Sequence, residues 1–117
     1  YPIGGIFHVA HGLSNALVLP HVMKFNAPAA SKLYAELADV ILPGTTGSCE
    51  TKTAALIAHI EGLVLATGIP RTLREVGVKE NDLGRLASDA MLQTRLLVNN
   101  PREVTEADAF AIYSAAF

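Results

Sequence analysis

The chain has 117 residues, half of them hydrophobic, with a single cysteine and a formal net charge of −2. Its nine Lys and Arg residues are scattered, so no basic stripe exists to neutralise phosphates and no nucleic-acid partner is expected. The lone Cys49 rules out an internal disulfide and a cysteine-rich zinc site, which makes a reduced, cytoplasmic compartment the default; the length fits one domain that buries about two-thirds of its unfolded surface.

No stretch alternates polar and apolar residues, whereas several place apolar residues three and four apart behind a helix-start signal, so the sequence predicts an all-α domain. The opening segment, Tyr1-Pro2-Ile3-Gly4-Gly5-Ile6-Phe7, starts without methionine and lacks the layout of a signal peptide. Together with the apolar surplus it suggests an incomplete chain, some of whose apolar surface faced another domain or subunit. A well-packed helical domain accounts for the same composition.

Residues 8 to 26 hold three of the four histidines, His8, His11 and His21. If His11 to Leu19 is helical, His8 and His11 could share a face, while Pro20 removes one backbone donor and bends the chain before His21. Imidazole is a common metal ligand, and Gly12 after His11 permits close approach of a backbone. A catalytic metal takes about three protein ligands and no Asp or Glu occurs before Glu36, so spacing alone leaves metal binding and buried structural histidines both open.

Asn26, with Pro28 in the first turn, is expected to open a helix bearing Leu33, Leu37 and Val40 or Ile41. Pro43-Gly44-Thr45-Thr46-Gly47 follows as a loop, and Ser48 caps a helix that stacks Leu56, Ile60, Leu63 and Val64 before Gly68-Ile69-Pro70 ends it. Its apolar run, Ala54 to Ala66, contains His59 and Glu61 and falls short of the ~20 residues of a membrane span, so no membrane partner is expected. His59 is explained by a solvated or interface position. Thr72-Leu73-Arg74-Glu75 spells a capping box for a short turn closed by Gly77, Asn81 or Asp82 caps a helix bearing Leu83, Leu86, Ala87 and Ala90, and Val98-Asn99-Asn100-Pro101-Arg102 is a second loop. Thr105-Glu106-Ala107-Asp108 opens a last helix with Phe110, Tyr113 and Phe117, which makes five helical elements after the opening segment. Cys49 beside Glu50, Ser14 and Ser48 lack a base and an orienting group, and the glycines are too sparse to cradle a phosphate, so neither hydrolase nor nucleotide-loop chemistry is legible.

The order Pro2-x-Gly4-Gly5, His11-Gly12 and Leu19-Pro20-His21-Val22-Met23-Lys24-Phe25-Asn26 resembles the carboxyl-terminal helical domain of iron-containing (group III) alcohol dehydrogenases, a dehydroquinate-synthase-like bundle. Gly68-Ile69-Pro70, Leu73-Arg74-Glu75-Val76-Gly77-Val78 and Asn99-Asn100-Pro101-Arg102 follow in similar order, so the resemblance covers residues 1–117. It implies a fragment of a two-domain enzyme in which an absent amino-terminal domain binds NAD or NADP, and a cleft holds a divalent iron or zinc through one aspartate and three histidines. His11 matches the last of those ligands; the others would lie upstream of Tyr1, and neither His8 nor His21 is a ligand position. Tyr1 stands where many relatives carry a further histidine, so a proton-relay role does not transfer, and tyrosine could donate a hydrogen bond or fill space there. The Arg95-Leu96-Leu97-Val98 stretch falls where relatives line the substrate pocket and hints at a small or apolar substrate.

The resemblance further implies a small alcohol or aldehyde substrate and a homodimer, with no activity in the isolated fragment. Two other readings stay open: a helical interaction module, which leaves the ordered motifs as coincidence, and a dehydroquinate-synthase or glycerol-dehydrogenase branch, which shares the architecture and the zinc.

Overall fold

A computed structural model describes all 117 residues as helices and turns without a strand, as the all-α reading expects. Helix α1 spans Pro2–Phe7, α2 His11–Ile41, α3 Cys49–Thr67, α4 Leu83–Met91, α5 Thr94–Leu97 and α6 Glu106–Ala115, with short 3₁₀ turns at Arg74–Val76 and Glu80–Asp82.

Most start and stop signals act where the sequence places them. Ser48 Oγ accepts the Thr51 N–H at 3.3 Å, and Gly68 (φ 68°) ends α3 in the left-handed conformation. Thr105 and Asp108 satisfy each other reciprocally at the start of α6. Glu75 Oε1 accepts from the backbones of Arg71 and Thr72, and Gly77 (φ 92°) closes that turn. Asp82 precedes α4 without capping it, because its carboxylate accepts the Lys79 N–H of the preceding turn.

The long helix α2 corrects two expectations. Neither Pro20 nor Pro28 interrupts it, and Asn26 is an interior, buried residue rather than a cap. Each proline removes one intrahelical bond, at a cost of up to ~3 kcal/mol. Packing offsets this: Leu17, Met23, Ala30, Ala35 and Ala38 are all buried along α2. Asn26 Nδ2 donates to Asn100 Oδ1 at 2.8 Å while Asn100 Nδ2 donates back to Asn26 Oδ1 at 2.8 Å, so a partner 74 residues away takes the side chain that could have capped a new helix.

Two cores form along α2. Its first half joins α1, α4, α6 and the intervening turns around Ile3, Leu17, Leu73, Val78, Leu83, Leu86 and Tyr113. From Met23 onward it pairs with α3 around Met23, Ala38, Leu56 and Ile57, and Thr53 Oγ1 donates to the Ser31 carbonyl at 3.0 Å. The small residues of α2 allow that close approach and turn the expected apolar face outward: Leu33 is 61% and Val40 79% exposed, with Leu37 and Ile41 beside them. On α3 Leu56 and Ile57 point inward, whereas Leu63 is exposed. Phe110 is likewise exposed on α6, where Tyr113 is the buried aromatic.

Candidate functional site

The corner between α1 and α2 places His11. Pro2 sits at the start of α1, and His8 ends that helix with φ 56°, the only non-glycine residue of the chain with positive φ. The chain then reverses into α2. Ser14 Oγ donates to the Val9 carbonyl at 3.3 Å, and the backbone at Gly4 passes so close that an added Cβ would lie 3.1 Å from the same oxygen. Close approach therefore occurs at Gly4; at Gly12, where it was expected, a Cβ would meet nothing within 4 Å.

His11 opens α2 and is exposed. Its Nε2 lies 3.1 Å from Asn15 Nδ2, one turn along the helix, and the Tyr1 ring tilts against the imidazole at 57° with 5.7 Å between centroids. Tyr1, itself 62% exposed, thus packs on one face of the ring. The three histidines of the opening stretch do not converge: His8 lies outside α2, and His21 is ten residues along it, a rise of about 15 Å. His21 is half-buried near Lys24 and Glu61, and burial with the Lys24 charge holds its ring below the usual histidine pKa. Cys49 is exposed at the first turn of α3.

No three His, Cys, Asp or Glu side chains stand close enough to hold a metal. One exposed imidazole suits a single donor position, and its Nε2 lone pair, which accepts from the Asn15 amide here, is the one a metal would take up, so these residues fit a metal centre as one contributor among several.

Behind the corner, α5 and the Asn100-Pro101-Arg102 segment close over the middle of α2. Arg102 Nη1 donates to the Phe25 carbonyl at 2.7 Å, and its guanidinium lies 4.1 Å over the Phe25 ring. Together with the Asn26–Asn100 pair this clamps the loop onto α2. The clamp was not legible beforehand, since its paired residues are 74 and 77 positions apart; the His11–Asn15 contact, at i and i+4, could have been read from spacing.

The family model for the Fe-containing alcohol dehydrogenase family, C-terminal, matches residues 1–117. The chain is 39% identical over 118 residues to long-chain-alcohol dehydrogenase 1 of Geobacillus thermodenitrificans and 36% to lactaldehyde reductase of Escherichia coli, covering all of this chain but 30% and 31% of those proteins. The fold matches the crystal structure of a 1,3-propanediol oxidoreductase with a TM-score of 0.92 and 36% identity, over 99% of this chain and 30% of that one. It also matches an alcohol dehydrogenase from Oenococcus oeni with a TM-score of 0.91 and 28% identity, again over 99% and 30%. The chain belongs to the Fe-containing alcohol dehydrogenase family, and its helices are those of the family's C-terminal part. It spans about a third of the length of the relatives it matches.

Proposed function

We propose that these residues form the helical part of a two-domain alcohol dehydrogenase that interconverts an alcohol with its aldehyde or ketone, using NAD or NADP and a divalent iron or zinc. The observation that carries this reading is His11, exposed at the head of α2 within the family's motif string. When bound, the metal supplies positive charge that eases loss of the hydroxyl proton, and the nicotinamide takes up the hydride.

This chain's own residues have narrower tasks. His11 offers one nitrogen lone pair, with its remaining companions outside residues 1–117. The Asn15 amide from the next turn donates to that lone pair until a metal displaces it, and Tyr1 shields one face of the ring from water. Tyr1 acts by packing against the imidazole ring. The Gly4 contact and the Ser14 hydrogen bond keep the corner rigid, which fixes the imidazole relative to the bundle.

The proposal places the complete enzyme in the cytoplasm as a homodimer. Its test is reduction of NAD or NADP by primary alcohols, with the complete protein purified and loaded with iron or zinc in turn. Turnover with at least one pairing is expected; none with any pairing contradicts the reading. A helical interaction module is the second reading, favoured by the exposed stripe of Leu33, Leu37, Val40 and Ile41, and it predicts neither turnover nor metal.

A further inference from the structure

The back of α2, turned away from His11, borders a cavity that has no task in the chemistry proposed above. At about 100° per residue, Ala16, Leu17 and Pro20 lie roughly 120° to 180° around the helix from His11. Together with His21 they face the C-terminal ends of α3 and α6 and the Arg71-Thr72 turn across a space of about 400 Å³.

Most polar groups around this space are already engaged. Lys24 Nζ donates to Glu61 Oε1 at 2.6 Å, and Thr72 Oγ1 donates to Glu75 Oε1 at 3.1 Å. Carbonyls at the two helix ends are taken as well: that of Val64 accepts from Thr67 Oγ1 at 2.8 Å, and that of Ala116 accepts the Leu73 N–H at 2.8 Å. Two side chains remain free. Arg71 bonds only through its backbone N–H, to Glu75, so its guanidinium has no ion pair, and the half-buried His21 ring has no hydrogen-bond partner. A guanidinium and an imidazole lining one cavity offer donors to an anion.

The other walls specify what that anion carries. Leu17, Pro20, Val64 and Ala115 are apolar, so a compact, strongly hydrated ion such as phosphate would lose water against them without compensation. A carboxylate matches the guanidinium fork, and an alkyl chain attached to it matches the apolar walls. Since about 150 Å³ holds benzene, about 400 Å³ holds a carboxylate with a chain of roughly four to eight carbons and a few waters.

We propose that this cavity binds short aliphatic carboxylates of about four to eight carbons, the carboxylate lying between Arg71 and His21 and the chain against Leu17, Pro20 and Val64. The site is independent of the dehydrogenase chemistry proposed above. Its occupation is linked to the protonation of His21. The charged groups facing that ring are Lys24 of α2, Glu61 of α3, Arg71 of the turn and Asp108 of α6. Lys24 and Glu61 offset each other, and Asp108 is held by Thr105, which leaves Arg71 as the one charge without a partner. Burial and Lys24 keep the ring neutral at pH 7; an adjacent carboxylate favours the imidazolium, so affinity rises as the pH falls through the pKa of the ring.

The test is calorimetric titration of the complete protein with sodium hexanoate, acetate, inorganic phosphate and hexylammonium at pH 5.5 and 7.5. Saturable one-site binding of hexanoate is expected, at least about tenfold tighter than acetate because its methylenes leave water, with phosphate and hexylammonium weaker than hexanoate. Hexanoate binds at least about threefold tighter at pH 5.5, with proton uptake that shows as a dependence of the heat on the buffer. Arg71→Gln, an exposed change that leaves the core untouched, weakens hexanoate about tenfold or more. His21→Gln removes the pH dependence, and Val64→Phe, which fills the alkyl side, brings hexanoate to the level of acetate. The assignment is overturned by no saturable hexanoate binding, by acetate, phosphate or hexylammonium binding as tightly as hexanoate, or by the same affinity at both pH values. Hexanoate held at the metal instead would keep its affinity in Arg71→Gln, and that result overturns it too.

Discussion

At the scale of single residues, side chains whose partners lie far along the chain decide most of what the sequence could not show. Asn26 reads as a cap because its neighbours, Pro28 above all, are those of a helix start; its bonds to Asn100 place it in mid-helix instead. Asn26→Ala leaves the Asn100 amide without those partners, and urea denaturation should show a loss of about 2 kcal/mol. Adding Asn100→Ala should cost less than the sum of the two single changes, because the second removes the group that the first orphaned. His8 carries a different signature. Its left-handed backbone crowds the Cβ, so His8→Gly is expected to raise stability by about 1 kcal/mol, and a lower denaturation midpoint would assign His8 a contact that the fold does not display. His21 makes stability depend on pH. Its pKa is lowered in the fold, chiefly by burial and then by Lys24, with Glu61 opposing, so the unfolded chain takes the proton first. Stability from this residue is therefore complete above about pH 6.5 and falls as the pH drops below it. His21→Gln should flatten the melting temperature between pH 7 and 5; an unchanged slope would place the effect elsewhere.

At the scale of elements, local signals were legible and long-range ones were not. Ser48, Thr72 and Thr105 cap through atoms within a few residues, which is why those starts were readable. Helix α2 depends on what packs against it. A proline with no packing support ends a helix, but α2 is held by cores on both halves, so Pro20 and Pro28 are tolerated. Pro28 is exposed, and Pro28→Ala restores a backbone donor without opening a cavity; a gain of about 2 kcal/mol is expected, and a loss would mean that this proline has a packing role. The outward turn of Leu33 and Val40 has the same origin, because spacing marks an apolar stripe without saying which stripe meets a neighbour. Helix α5, with four residues and no side-chain cap, left no local mark to read.

At the scale of the whole molecule, the surplus of apolar residues anticipated what the fold displays. Only 21 of 117 residues are buried, and large aliphatic side chains of α2 and α3 remain at the surface. The radius of gyration, 14.7 Å, exceeds the roughly 13 Å of a compact domain of this length, because the α2–α3 pair extends away from the larger core. The spread of the histidines shows equally why spacing could not settle the site: His8, His11 and His21 form no shared centre within these residues. The imidazole of His11 is the central claim, and the metal content of the complete protein with and without it is the most direct measurement. His11→Ala, purified under identical conditions and confirmed as folded, is predicted to retain less than about a tenth of the parent's iron or zinc, since a catalytic site of about four ligands rarely survives loss of one. Full metal occupancy in that variant would contradict the account.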